Sequence, residues 1–165
     1  MAETIKVEGL DNFAQALNLL SQNIARSVLR GGVSAAGKVI RDETKLRAPV
    51  YTGPAIEGHP PPGTLKRAVS YGRARWESGE GKEVYHVFVR QAKNGAVGQK
   101  GVKAYGKFDA FYARWVEYGT SKMAAHPFMR PAYESTKMTS YEAMIGYYAN
   151  RLPEEVKKLG FGWVN

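Results

Sequence analysis

The clearest hydrophobic pattern in the sequence is an apolar stripe near its start. Apolar residues recur there every three or four positions, at Leu10, Phe13, Leu17, Leu20, Ile24 and Val28. This spacing places them on one face of an α-helix, and Asp11 can cap the N-terminus of that helix. The pattern therefore predicts an amphipathic helix over residues 11–30.

A glycine pair follows this stripe. Gly31 and Gly32 are expected to interrupt the helix, because each glycine costs about 1 kcal/mol in a helix interior. The stripe resumes with Val33, Ala36 and Ile40, and it ends before Pro49, since helical geometry is disfavoured immediately before a proline. We predict two helices here, or one long helix that bends at the glycines.

The middle of the chain changes from loop to strand patterns. Residues 49–63 are rich in proline and glycine and predict a loop, partly in polyproline II conformation. Residues 65–77 alternate weakly, whereas residues 83–90 are rich in β-branched and aromatic residues and predict a strand. Residues 111–118 fit either a strand or a short helix.

A second apolar stripe lies near the C-terminus, at Tyr141, Ile145, Tyr148 and Leu152. Pro131 suits the first turn of this helix, and Pro153 is expected to start a short terminal helix through Leu159. Helices, then strands, then a helix favour an α+β fold: N-terminal helices packed on a small, mainly antiparallel sheet, with a C-terminal helix. The 165 residues suit one domain, 1–165, since no linker divides them.

Composition narrows the function classes. The chain carries a formal net charge of +9 and contains no cysteine. Disulfides and cysteine metal sites are therefore excluded, which fits folding in a reducing cytoplasm. The polar start is unlike a secretory signal, and no apolar run approaches the ~20 residues that cross a bilayer. The positive charge favours an anionic partner, unless it is only surplus surface lysine.

Much of this positive charge lies in one glycine-rich loop, residues 90–107, and no acidic residue lies between Glu83 and Asp109. Its cations are Arg90, Lys93, Lys100, Lys103 and Lys107. Glycine makes such a loop costly to order, so we expect a mobile basic arm, which can form the tip of a hairpin and can order on an acidic partner.

The sequence contains only incomplete versions of enzymatic and metal-binding motifs. The G-x-x-x-x-G-K pattern at Gly32, Gly37 and Lys38 lacks the following Ser or Thr of a phosphate-binding loop and follows a helix pattern instead of a strand. The histidines, His59, His86 and His126, lack metal-ligand spacing. We expect no catalytic residue, no metal and no cofactor.

The segment WVEYGTSKMAAHPFMRPAYE, residues 115–134, is the best candidate for an interaction site. We expect its prolines to hold His126 and Arg130 extended. One of Phe128 and Met129 would then face the core and the other a partner, unless the segment is only an intramolecular helix entry. Glu117 is expected to be structural, paired with an arginine or lysine, because it lacks a second carboxylate for acid–base chemistry. The interface candidates are Trp115, Glu117, Tyr118, Thr120, Phe128, Met129 and Arg130.

These residues also carry a family resemblance. Residues 112–132 resemble the signature of the neck or tail-completion proteins of long-tailed bacteriophages. The matching positions are Tyr112, Ala113, Val116, Glu117, Tyr118, Gly119, Thr120, Pro127, Phe128, Met129, Arg130, Pro131 and Ala132. A second signature of that family is similar to Ala48, Pro49, Val50, Thr52 and Gly53, and it resumes at Leu65, Lys66 and Arg67. Residues 54–64 between these parts look like an insertion.

The resemblance implies a non-enzymatic virion protein at the head–tail junction, assembled in the host cytoplasm. It implies a homo-oligomeric ring, with a hexamer favoured over a dodecamer, in contact with the adjoining head-connector and tail proteins and with DNA in the channel, but not with a membrane. A small basic nucleic-acid-binding protein is the alternative, although the basic cluster of residues 90–107 occupies a loop and not a recognition helix.

Overall fold

A computed structural model describes residues 22–54, 60–79, 81–91 and 110–158 of the chain. The elements, in chain order, are α1 (Gln22–Arg47), α2 (Thr64–Ala68), β1 (Val69–Arg73), β2 (Tyr85–Val89), α3 (Ala113–Tyr118) and α4 (Met129–Lys158). The long helix α1 packs against both the sheet and α4. This arrangement confirms the predicted α+β class and decides that residues 113–118 are helical.

Helix α1 runs without a break through the glycine pair, so the expectation of two helices is wrong and the alternative, one long helix, is confirmed. The reason is a contact made by a distant part of the chain. The ring of Tyr147 lies where a side chain on Gly31 would be, and the ring of Tyr148 does the same at Gly32. The glycines let α4 approach α1 closely, and this packing offsets their low helix propensity. The predicted residues 11–21 lie outside the described range.

Strands β1 and β2 form an antiparallel pair, in register from Val69↔Val89 to Arg73↔Tyr85. The predicted strand at residues 83–90 and its antiparallel pairing are thus confirmed. The weakly alternating residues 65–77 start within the short helix α2, and a strand begins only at Val69. Residues 74–84 connect the two strands. Residues 92–109, which include most of the basic loop, lie outside the described range.

Helix α4 begins at Met129, with Pro131 in its first turn as predicted. It continues through Pro153, so the separate terminal helix predicted there is wrong. A proline in a helix interior removes one backbone hydrogen bond. Leu152 and Val156, on either side of that position, are buried in a cluster with Val28 of α1, and this packing keeps the helix continuous.

A second core lies between the sheet and the short helices. Its buried members are Ala48, Leu65, Ala68, Val69, Ala110, Ala113 and Phe128. In chain order, the first signature segment (residues 48–53 and 65–67) contributes Ala48 and Leu65, and the second (residues 112–132) contributes Ala113 and Phe128. The two segments that carry the resemblance therefore share one hydrophobic core.

Candidate interaction site

The carboxylate of Glu117, near the end of α3, lies against the start of α4. Its side chain is buried, and it accepts hydrogen bonds from three consecutive backbone N–H groups: Phe128 at 2.8 Å, Met129 at 3.0 Å and Arg130 at 3.2 Å. The N-terminus of a helix attracts negative charge through its unpaired amides and its dipole. Glu117 therefore caps α4 from another part of the chain.

The remaining amides at this helix start are also accounted for. Pro131 has no N–H to satisfy, and the N–H of Ala132 donates to the carbonyl of Phe128 at 3.4 Å. With Glu117 in place, no amide from Phe128 to Ala132 lacks a partner. The Glu and the Phe-Met-Arg-Pro-Ala run of the signature thus form one capping device.

Gly119 makes the turn that brings the chain back to this site. Its φ of 73° is in the region that favours glycine, and an added Cβ would lie 2.8 Å from the backbone nitrogen of Ala125. Thr120 and Met123 then bridge each other, and the N–H of His126 donates to the carbonyl of Val116 at 2.8 Å. The segment therefore folds back on α3 before α4 begins.

Arg130 does not have the extended conformation expected before a proline, because it already belongs to the first turn of α4. Its guanidinium carbon lies 5.4 Å from the centre of the Tyr118 ring, and its Nε lies 4.0 Å from a Glu117 oxygen. Arg130 is exposed, so this long ion pair contributes little beside the three amide bonds. The arginine or lysine partner expected for Glu117 is thus secondary to the backbone.

The interface candidates divide into buried and exposed residues. Phe128 is 1% exposed and Glu117 5%, so both lie inside the chain and do not offer a contact surface. Phe128 is thus the member of the pair that faces the core, and Met129 is partly buried and packs against the same core. The candidates that remain exposed are Trp115, Tyr118, Thr120 and Arg130.

An apolar groove of about 620 Å³ lies beside this unit, between the two signature segments. One wall comes from the first segment and the proline run, and the other comes from α3 and the turn after it. The lining residues include Val50, Tyr51, Pro61, Leu65, Phe111, Tyr112, Trp115, Met123 and His126. Trp115 is 49% exposed, so part of its indole is available to a partner.

Tyr112 links the two walls of the groove. Burial raises the pKa of its hydroxyl, and the backbone of Leu65 and the charge of Arg67 partly oppose that rise. Tyr112 precedes α3 directly, and its hydrogen bond with the backbone of Leu65 connects it to α2. The groove is therefore supported by the same core that joins the signature segments.

The other sequence candidates lie elsewhere. Gly32, Gly37 and Lys38 lie inside α1, which is not the geometry of a phosphate-binding loop. His86 lies on β2 beside Glu77, His126 lines the groove, and His59 lies outside the described residues. Within the described ranges, no group of three or more histidine, aspartate or glutamate side chains could hold a metal ion, and no helix is long and apolar enough to cross a membrane.

Of the cations of the basic loop, only Arg90 is described. Its guanidinium donates to the carbonyl of Arg67 at 3.3 Å, which holds it beside the end of α2. The remaining predicted contact residues of the loop lie outside the described part of the chain, namely Lys93, Lys100, Lys103 and Lys107.

Sequence reasoning missed two features of this site. The helix start at residues 126–131 has no Ser, Thr, Asp or Asn to cap it, and Glu117 is the only carboxylate in residues 110–133. Together these facts point to a cap supplied by Glu117. The groove gave no comparable signal, because its walls are far apart in the sequence.

Comparisons of the chain with protein-family models, with curated proteins and with solved structures found no match.

Proposed function

We propose that this chain is a structural subunit of the head–tail connector of a long-tailed bacteriophage. It would act as a neck or tail-completion protein, in a homo-oligomeric ring that joins the tail to the DNA-filled head. The proposal rests first on the resemblance of residues 48–53, 65–67 and 112–132 to that family's signatures.

One structural observation carries the proposal further: the two signature segments meet. Leu65 of the first segment and Phe128 of the second are buried in one core, and both segments line the groove. The exposed aromatic side chains beside it, Trp115 and Tyr118, suit a protein–protein contact.

The same geometry favours a structural role for Glu117 over a catalytic one. Its two oxygens are occupied by three amide donors, and its side chain is buried. A general base needs a lone pair directed at a substrate proton. We therefore propose that Glu117 is structural, and the family resemblance implies further that the protein is not an enzyme and needs no cofactor.

Disruption of the gene in a phage that carries it tests this function. Electron microscopy of the lysate should show filled heads and finished tails that do not join, and addition of the purified protein should restore joined particles. Normal infectious particles without the protein would contradict the proposal, and so would a lysate without heads, which would indicate an earlier role.

A small basic nucleic-acid-binding protein is the second candidate, and the net charge of +9 favours it. Binding of DNA by phosphate contacts would weaken steeply as salt concentration rises. A purified chain that binds duplex DNA in this way, while gene disruption leaves joining intact, would favour the second candidate over the first.

A further inference from the structure

A tryptophan side chain projects from the segment that connects the two strands. Trp76 is 82% exposed, the highest value among the large hydrophobic side chains of the described residues. A tryptophan carries roughly 150–250 Å² of surface that can be buried, and tryptophans dominate the binding energy of many interfaces. Trp76 therefore has the chemistry of an anchor, although an exposed tryptophan can also be a solvated turn residue.

Two neighbouring side chains restrain Trp76. Its indole Nε1 donates to Oε1 of Glu77 at 3.0 Å, and the same oxygen lies 3.0 Å from Nε2 of His86 on β2. The indole and imidazole centres are 6.3 Å apart. A side chain restrained before binding loses less conformational entropy when it docks, so this arrangement favours the anchor over the solvated turn.

The groove beside the signature segments suits such an anchor. Its volume of about 620 Å³ is within the range of small-ligand pockets, roughly 300–1,000 Å³, and Trp115, Tyr112 and Met123 are among its lining residues. Aromatic and thioether walls pack well against an indole ring.

Cations are the sequence neighbours of several groove-lining residues, and the anchor has an acidic neighbour. No carboxylate lines the groove among the described residues, and an exposed cation adjoins a lining residue at three places, Lys66, Arg114 and Lys122. Glu77, partly exposed, is the immediate neighbour of Trp76. Docking of Trp76 would bring this carboxylate towards the cations, and such complementarity fixes register and partner choice.

The anchor and the groove of one chain lie on opposite sides of β1 in the sequence. Leu65 of the groove precedes β1, Trp76 follows it, and a five-residue strand spans about 17 Å. The two features are therefore separate surfaces of one molecule. When copies join through different surfaces, an open assembly always keeps one free anchor and one free groove, and both are filled only when a ring closes.

We infer that Trp76 of one copy inserts into the groove of the next copy, with Glu77 facing the cations around it. This contact rests on the proposed function and deepens it, because it names the surfaces through which adjacent subunits of the ring would meet.

Self-association of purified variants tests the contact. Trp76→Ala removes the anchor, Trp115→Ala removes a groove wall, and Met138→Ala on α4 removes an exposed apolar side chain outside both features. Analytical ultracentrifugation should show self-association weakened at least about 30-fold by each tryptophan substitution and unchanged by Met138→Ala. Thermal unfolding identifies any variant that has lost its fold.

A mixture of the two tryptophan variants is the sharper measurement. One variant keeps its groove and the other keeps its anchor, so the mixture should form 1:1 heterodimers and nothing larger. A wild-type chain that remains monomeric overturns the inference, and so does a mixture that stays monomeric or forms full-sized assemblies.

Crosslinking gives a second test that does not depend on removing a side chain. The chain has no cysteine, so Arg75→Cys and Lys122→Cys variants can be mixed and joined with a short bis-maleimide. Efficient heterodimer formation is expected, whereas Arg75→Cys mixed with Lys137→Cys should crosslink poorly. Equal yields would overturn the contact. Assembly that persists in Trp76→Ala would remove this contact alone, while normal head–tail joining without the protein would remove the proposed function.

Discussion

The carboxylate of Glu117 accepts a hydrogen bond of 2.8 Å from the backbone N–H of Phe128, eleven residues later in the chain. This bond joins the end of α3 to the start of α4, and the amides of Met129 and Arg130 share the same carboxylate. The chain between Glu117 and Phe128 therefore folds back on itself, and it turns at Gly119.

Glu117→Gln should destabilise the fold by about 1–3 kcal/mol. The amide keeps the shape of the side chain, but it replaces one acceptor oxygen with a donor and leaves buried N–H groups without a charged partner. Urea unfolding monitored by circular dichroism measures the change. Glu134→Gln is the control, since Glu134 forms only an exposed pair with Lys137 and should change stability by less than about 0.5 kcal/mol.

Equal stability of these two variants would contradict the capping role. A different result would also count against it: a hydrolytic activity that is present in the wild type and lost in a fully folded Glu117→Gln protein.

Gly32→Ala should destabilise the pairing of α1 with α4 by about 1–3 kcal/mol, because the new methyl group would occupy the position of the Tyr148 ring. Gly146→Ala is the matched control on α4. No atom lies within 4 Å of a Cβ added there, so this substitution should stabilise the helix by up to about 1 kcal/mol. Opposite signs in thermal unfolding are expected, and a stabilising Gly32→Ala would contradict the packing explanation.

The glycine pair in α1 and Pro153 in α4 show why part of the fold could not be predicted from local patterns. The periodic stripes correctly indicated helices, and the β-branched run correctly indicated a strand. The expected break into two helices at the glycine pair and the separate helix at Pro153 were wrong because propensity describes a helix on its own, whereas here Tyr148 and Val156 pack α4 onto α1. Contacts between residues that are distant in the sequence leave no trace in a local period.

The candidate site was also predicted only in part, because long-range contacts determine which of its residues are buried. The signature segment was found, but Phe128, one of the interface candidates, is fully buried. Phe128→Ala should therefore destabilise the fold by about 3–5 kcal/mol, so it cannot report on assembly. Arg130→Ala remains informative, because Arg130 is exposed beside Tyr118.

Glu83 should make stability depend on pH below the ordinary carboxyl range. Its hydrogen bonds to Arg73, and secondarily the charges of Arg73 and Arg30, lower its pKa from the usual 4.5. A carboxyl group whose folded-state pKa is lowered contributes stability above its unfolded pKa and loses it as pH falls through the folded value. Wild type should therefore exceed Glu83→Gln in stability most at pH 7, and the difference should shrink below pH ~4.5. A difference that stays constant to pH 3 would contradict this role.

The lysines of the basic loop are expected to attract an acidic partner from a distance, and we favour a neighbouring protein ring over DNA. Replacement of Lys93, Lys100, Lys103 and Lys107 by glutamate should slow docking of the protein onto particles and flatten the dependence of the docking rate on salt. The melting temperature should hardly change. A docking rate and salt dependence equal to those of the wild type would contradict this role and show that the loop is only a solvated surface feature.

The position of the protein in the virion tests the proposed function most directly. Purified particles labelled with a gold-conjugated antibody against this chain, and imaged by electron microscopy, should carry gold at the head–tail junction. Gold on the capsid shell or at the tail tip would contradict the proposal, as would particles that lack the protein altogether.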